Sequence, residues 1–170
     1  MYPIITKIVG AVSKLAKETD YKITVKSICD EITPATKLIY IANPNNPTGT
    51  YLSKNEVRDL MFKIPKNVIV VLDGAYAEYV EKDDYDSDFS LVNEFDNIIL
   101  TRTFSKAYGL AGIRLGWCYS SLKISSILAR VKGPFNTNSI AQSIAIDALD
   151  DQDYIKNIVK QNKINKEWFE

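Results

Sequence analysis

Three short apolar runs constrain this chain most: "KLIYIA" at residues 37–42, "NVIVVLD" at 67–73 and "NIILTRT" at 97–103. The last two are nearly continuous and rich in branched residues, the pattern of strands buried on both faces of a parallel sheet. Helical patterns alternate with them. In "SKNEVRDLMFKI", Ser53 stands as an N-cap with Glu56 three residues on, and Val57, Leu60, Met61 and Ile64 fall on one helix face. "DFSLVNEF" supplies a short crossover helix between the second and third strands. Strand and helix alternating in this way predict an α/β fold, a mostly parallel sheet flanked by helices, with the C-terminal ends of the strands on one edge. Ligands bind at that edge in open α/β sheets.

The flanks are helical as well. The spacing predicts a helix over about Ile4 to Lys17, an extended piece at "YKITV" and a helix from Ser27 to Ile32. From Ser121 onward the pattern gives helices at "LKISSILARV", "SIAQSIAIDALDD" and "YIKNIVKQNKINKEWFE". The last of these ends on Trp168 and Phe169, so exposed apolar surface is expected there. The apolar run after Arg114 places Trp117 and Cys118 in the core, Arg102 should meet solvent or a carboxylate, and Tyr108 either packs or lines a pocket.

Composition removes several function classes. With 21 basic and 21 acidic residues among 170, the formal charge cancels, and no electrostatic footprint for nucleic acid or an anionic membrane remains. No apolar stretch reaches membrane-spanning length, which points to a cytoplasmic chain. Histidine is absent, so triads with a histidine base and the usual histidine-containing zinc sites are excluded. Cys29 and Cys118 lack metal-ligand spacing and read as reduced thiols.

Each apolar strand is followed by a polar segment: "NPNNPTG", "DGAY" and "TFSKAYG". In the first, Pro44 and Pro47 stiffen a turn on which Asn43, Asn45 and Asn46 offer donors. In the second, Asp73 stands at the mouth of a buried strand, where it either caps the next turn or holds a cation, and Tyr76 follows three residues later. In the third, Lys106 follows Thr103, Phe104 and Ser105. A lysine there is either a solvated surface cation or, partly desolvated and near Arg114, an amine able to attack a carbonyl. Thr103, Ser105, the turn amides and Arg114 make a seat for a phosphate dianion. Taken together, the groups meet every need of one ligand, pyridoxal 5'-phosphate: an amine for its aldehyde, hydroxyls and a cation for its phosphate, a carboxylate for its ring nitrogen and donors for its ring oxygen.

In order and spacing, "NPNNPTG", "DGAY" and "SKAYGLAGIRLGW" resemble the fold-type I pyridoxal-phosphate aminotransferases of class I and II. The likeness extends through "MYPIITKIVGA", "TPATKLIYIANPNNPTGTYLS" and "GPFNTNSIAQ", and so covers nearly the whole chain. It implies that Lys106 is the Schiff-base lysine, that Asp73 partners the ring nitrogen, that Asn46 and Tyr76 serve the ring oxygen, and that Thr103, Ser105 and Arg114 hold the phosphate. Lys106, Asp73 and Tyr76 would then carry the chemistry. The function implied is ping-pong transamination, with histidinol phosphate and 2-oxoglutarate exchanging for imidazole-acetol phosphate and glutamate. Alternatives on the same scaffold are an aromatic-amino-acid aminotransferase or a threonine-phosphate-type decarboxylase; a non-catalytic fragment is a third. Members of the family are considerably longer, so residues 1–170 are expected to form part of the cofactor-binding large domain. The N-terminal segment and small C-terminal domain would be absent, and the full-length protein is expected to be a homodimer.

Overall fold

The computed structural model describes residues 2–169. In chain order it contains α1 (Tyr2–Ile8), α2 (Val25–Cys29), β1 (Leu38–Ala42), α3 (Lys54–Lys63), β2 (Ile69–Asp73), α4 (Ser90–Glu94), β3 (Ile98–Thr103), β4 (Gly116–Ser120), α5 (Leu122–Val131), α6 (Ser139–Asp150) and α7 (Gln152–Phe169). Single 3-10 turns lie at Ala77–Tyr79 and Ala111–Ile113. The sheet runs β1-β2-β3-β4, parallel through β3, with β4 antiparallel on the edge.

Register sorts the strand residues into two faces. Ile39, Val70 and Ile98 lie side by side, as do Ile41, Leu72 and Leu100 one step further on. This face carries the main core, packed with Val25 and Ile28 of α2, Val57, Leu60 and Met61 of α3, and Leu91 and Val92 of α4. The opposite face holds Tyr40, Val71 and Ile99 in one row and Ala42, Asp73 and Thr101 in the next. Its buried cluster is small: Val71, Ile99 and Ile124, with Ile69 packed against them.

The helix at Lys54–Lys63 begins as its sequence dictates. Ser53 Oγ accepts from the Glu56 amide at 3.2 Å, and Glu56 Oε2 accepts from the Ser53 amide at 2.7 Å. The first helix is shorter than the sequence pattern implies. It stops at Ile8, because Gly10 takes a left-handed φ of 72°. The Ala11 amide then donates to the Thr6 carbonyl and the Gly10 amide to that of Lys7, both at 3.0 Å, which closes the helix end. Helix α2 also differs, starting at Val25. Its cap is Thr24, paired reciprocally with Ser27, a box whose third-position serine is less recognisable in sequence than a glutamate.

"GWCYS" forms an edge strand, so the expected core placement of Cys118 is wrong. Cys118 pairs with Thr101 on the thinly covered face and is exposed, whereas half-buried Trp117 meets Phe89 with ring centroids 5.6 Å apart. Helices α5 to α7 occur where the periodicity places them. Trp168 and Phe169 are 79% and 81% exposed, as expected for the end of α7.

Candidate active site

The three polar segments meet at the C-terminal ends of β1, β2 and β3. The Asn43 amide donates to the Asp73 carbonyl at 2.9 Å, and the Gly74 amide to the Thr101 carbonyl at 3.1 Å, so the loops leave the sheet side by side.

In the first loop the asparagines divide their work. Asn43 is buried and turned inward: its Oδ1 accepts from the Leu52 amide at 2.7 Å and its Nδ2 donates to the Leu52 carbonyl at 3.1 Å. The Tyr85 hydroxyl donates to the Asn43 carbonyl at 2.7 Å. Asn45 Nδ2 donates to Thr48 Oγ1 at 2.9 Å. These bonds close the loop on itself and spend the side chain of Asn43 and one donor of Asn45 on the loop. Asn46 alone of the three is exposed, and its Nδ2 donates to Tyr76 Oη at 2.8 Å. Since the Tyr76 oxygen accepts this bond, its own proton is available to a third group.

Asp73 ends β2 half-buried. Its Oδ1 accepts from the Ala75 amide at 3.2 Å and from Thr101 Oγ1 at 3.4 Å, so the turn-capping role is real. Its Oδ2 accepts from the Tyr2 hydroxyl at 2.5 Å. Tyr2 was not foreseen, because nothing in the sequence ties residue 2 to residue 73. The Tyr2 ring stacks on Tyr40, with centroids 4.9 Å apart and planes 17° apart. Burial first, then the bond to Asp73 and its charge, push the Tyr2 phenol far above its usual range, so it stays a donor.

Behind this loop, a Cβ at Gly74 would collide with the Arg102 guanidinium, so a larger residue there would displace that buried side chain. Of the two surroundings expected for Arg102, the carboxylate is found. Its side chain is buried on the core face, with Nε 3.9 Å from Glu78 Oε1 and the guanidinium 5.2 Å from the Phe89 ring centroid. Burial raises the Glu78 carboxyl above its ordinary range, and Arg102 opposes that rise. Tyr108 packs on Phe104, ring centroids 5.1 Å apart.

Lys106 is exposed rather than partly desolvated, although Phe104 and Ala107 on either side of it are buried. Its ammonium lies 5.3 Å from the Tyr76 ring centroid, within cation–π range. Tyr76 therefore joins all three loops: bonded to Asn46, beneath Lys106, and three residues beyond Asp73. The Lys106 turn is closed by the Gly109 amide on the Lys106 carbonyl at 2.9 Å, with Gly109 at a φ of 68°. Thr103 Oγ1 accepts from the Ser105 amide at 3.1 Å, a bond that does not use the threonine's own proton. Arg114 is exposed, and its Nη1 donates to the Ala111 carbonyl at 2.7 Å. Its backbone adjoins the lysine turn, since the Phe104 amide donates to the Leu115 carbonyl at 3.3 Å. Among the described residues no cluster of three or more cysteine, aspartate or glutamate side chains could hold a metal.

A lysine, a strand-end carboxylate and an amide–phenol pair thus share one edge of an α/β sheet. The family model described as "Aminotransferase class I and II" matches residues 1–167, and the chain belongs to that family. It is 48% identical over 162 residues to a histidinol-phosphate aminotransferase of Pelagibacter ubique, covering 95% of this chain and 45% of that protein. A second such relative, from Haemophilus influenzae, is 41% identical over 170 residues, covering all of this chain and 46% of the relative. The structure of the Sinorhizobium meliloti histidinol-phosphate aminotransferase in complex with pyridoxal-5'-phosphate superimposes with a TM-score of 0.86 at 30% identity, over 93% of this chain and 43% of that one. The chain thus spans less than half the length of these relatives.

Proposed function

We propose that this chain supplies the pyridoxal-phosphate-binding part of a histidinol-phosphate aminotransferase. The observation that carries the reading is Tyr76, which accepts from Asn46 while lying under Lys106 and close in sequence to Asp73. The names of the relatives at 41% to 48% identity support histidinol phosphate as the substrate; in this reading 2-oxoglutarate and glutamate are the exchanging pair.

The donor set fits the cofactor, which when bound supplies an electron sink conjugated to the substrate's α-carbon. Asp73, with Oδ1 already holding two donors, offers its remaining acceptor capacity to a protonated ring nitrogen. The Tyr76 hydroxyl, fixed by Asn46, has its proton to give to the ring oxygen. Thr103, Ser105 and Arg114 provide hydroxyls, turn amides and a guanidinium for the phosphate. Lys106 would hold the cofactor's aldehyde end, and its amine would move a proton at the substrate's α-carbon. Residues 1–170 belong in this reading to the large domain of the enzyme, which works as a homodimer in the cytoplasm. Among the described residues no helix is long and apolar enough to cross a membrane.

The test is an absorbance titration of the purified chain with pyridoxal 5'-phosphate. A visible band distinct from that of the free cofactor is expected, and Lys106→Ala should abolish it. A chain that never develops the band would overturn the reading.

A further inference from the structure

We infer that Tyr2 is a positioning residue for Asp73, fixing which carboxylate oxygen faces the cofactor's ring nitrogen; the inference rests on the function proposed above.

The two oxygens of Asp73 are loaded unequally. Each carboxylate oxygen has two acceptor sites. On Oδ1 both are taken, by the Ala75 amide at 3.2 Å and the Thr101 hydroxyl at 3.4 Å. On Oδ2 one is taken, by the Tyr2 hydroxyl at 2.5 Å, and one is open. A cationic N–H donor therefore finds its acceptor on Oδ2, the atom that Tyr2 holds.

The grip is rigid for a structural reason. The Tyr2 ring is clamped by its stack on Tyr40, one register row from Asp73 on the same face of the sheet. Thr6 Oγ1 donates to the Tyr2 carbonyl at 2.9 Å, tying the residue into its helix. No residue of α1 is buried, so core packing is not what places this ring against the sheet.

The bond has a chemical consequence as well. A phenol donating to Oδ2 holds the carboxylate in one orientation, so its open acceptor position stays where a ring N–H can meet it. Without the hydroxyl, Asp73 can turn about its χ2 bond, and the ring N–H loses its fixed acceptor. Tyr2 would thereby keep the Asp73 carboxylate available to a protonated ring nitrogen, whose charge makes the cofactor an electron sink.

Tyr2→Phe removes the hydroxyl and keeps the stacking ring. With the chain as it stands, the expected result is about tenfold weaker binding of pyridoxal 5'-phosphate, the scale of one hydrogen bond to a charged group. The ring-nitrogen signal of 15N-labelled cofactor should move from the pyridinium position toward the neutral one. Thr101→Val, which removes the longer bond to Oδ1, should change affinity less than threefold and leave the nitrogen signal in place. In an Asp73→Asn background, Tyr2→Phe should have no further effect on either readout. A Tyr2→Phe chain that binds as the parent does with an unmoved nitrogen signal would overturn this inference alone, as would equal losses with Asp73 present and replaced. A parent chain that gives no cofactor band would instead overturn the proposed function, and this inference with it.

Discussion

On one face of the sheet Val70, Leu72, Ile98 and Leu100 lie under three helices, and none is more than 3% exposed. On the other, Leu38 and Tyr40 remain 42% and 45% exposed, and cover comes from the Tyr2 ring and Ile124. The first face holds the fold; the second carries Asp73 and faces the proposed ligand. Stability and chemistry are thus divided across a single sheet thickness, and the residues that serve one should be nearly silent in the other.

The sharpest break in this comparison comes from paired truncations. Leu60→Ala, at a position with no exposure, should cost about 4 kcal/mol in urea unfolding, whereas Ile124→Ala on the opposite face should cost less than half of that. Equal losses would erase the distinction between the faces. Next in size is Asn43→Ala, which strands the Leu52 amide and carbonyl inside the loop and should cost about 2 kcal/mol.

Capping of α3 gives a smaller effect, with Ser53→Ala costing about 1 kcal/mol. The same cap has a pH signature. Burial raises the Glu56 carboxyl, but the Ser53 amide and Lys22 outweigh it and hold the group below 4.5. A carboxyl lowered by folding stabilises the fold above its unfolded value and loses that contribution as pH falls through its folded one. Glu56→Gln should therefore flatten the fall in urea midpoint on the acid side of pH 4.5. Smallest in stability is Lys106→Ala, under about 0.5 kcal/mol for an exposed side chain, although it should remove the cofactor band entirely.

Much of this was legible in the chain because its signals are local. The branched runs become β1 to β3, and Ser53 and Glu56 cap α3 as their spacing implies. What the sequence hides depends on tertiary contact. Gly10 ends the first helix through a left-handed turn that competes with a pattern reading on to Lys17. "GWCYS" pairs antiparallel to β3, so alternate residues of an apolar run face outward and Cys118 is exposed. Asn43 and Asn46 are the same residue type three positions apart, yet one is spent on the loop and the other on the site. Tyr2 reaches Asp73 across 71 residues of chain, and periodicity carries no such information.

The central claim, that the Lys106 turn and the Asp73 edge serve one cofactor, is tested most directly by trapping. Pyridoxal 5'-phosphate is added to the chain, the adduct is reduced with borohydride, and the labelled peptides are mapped by mass spectrometry. The account predicts one label, on Lys106, greatly diminished in Asp73→Ala. A label spread over the surface lysines, or unchanged by loss of the Asp73 carboxylate, would contradict it.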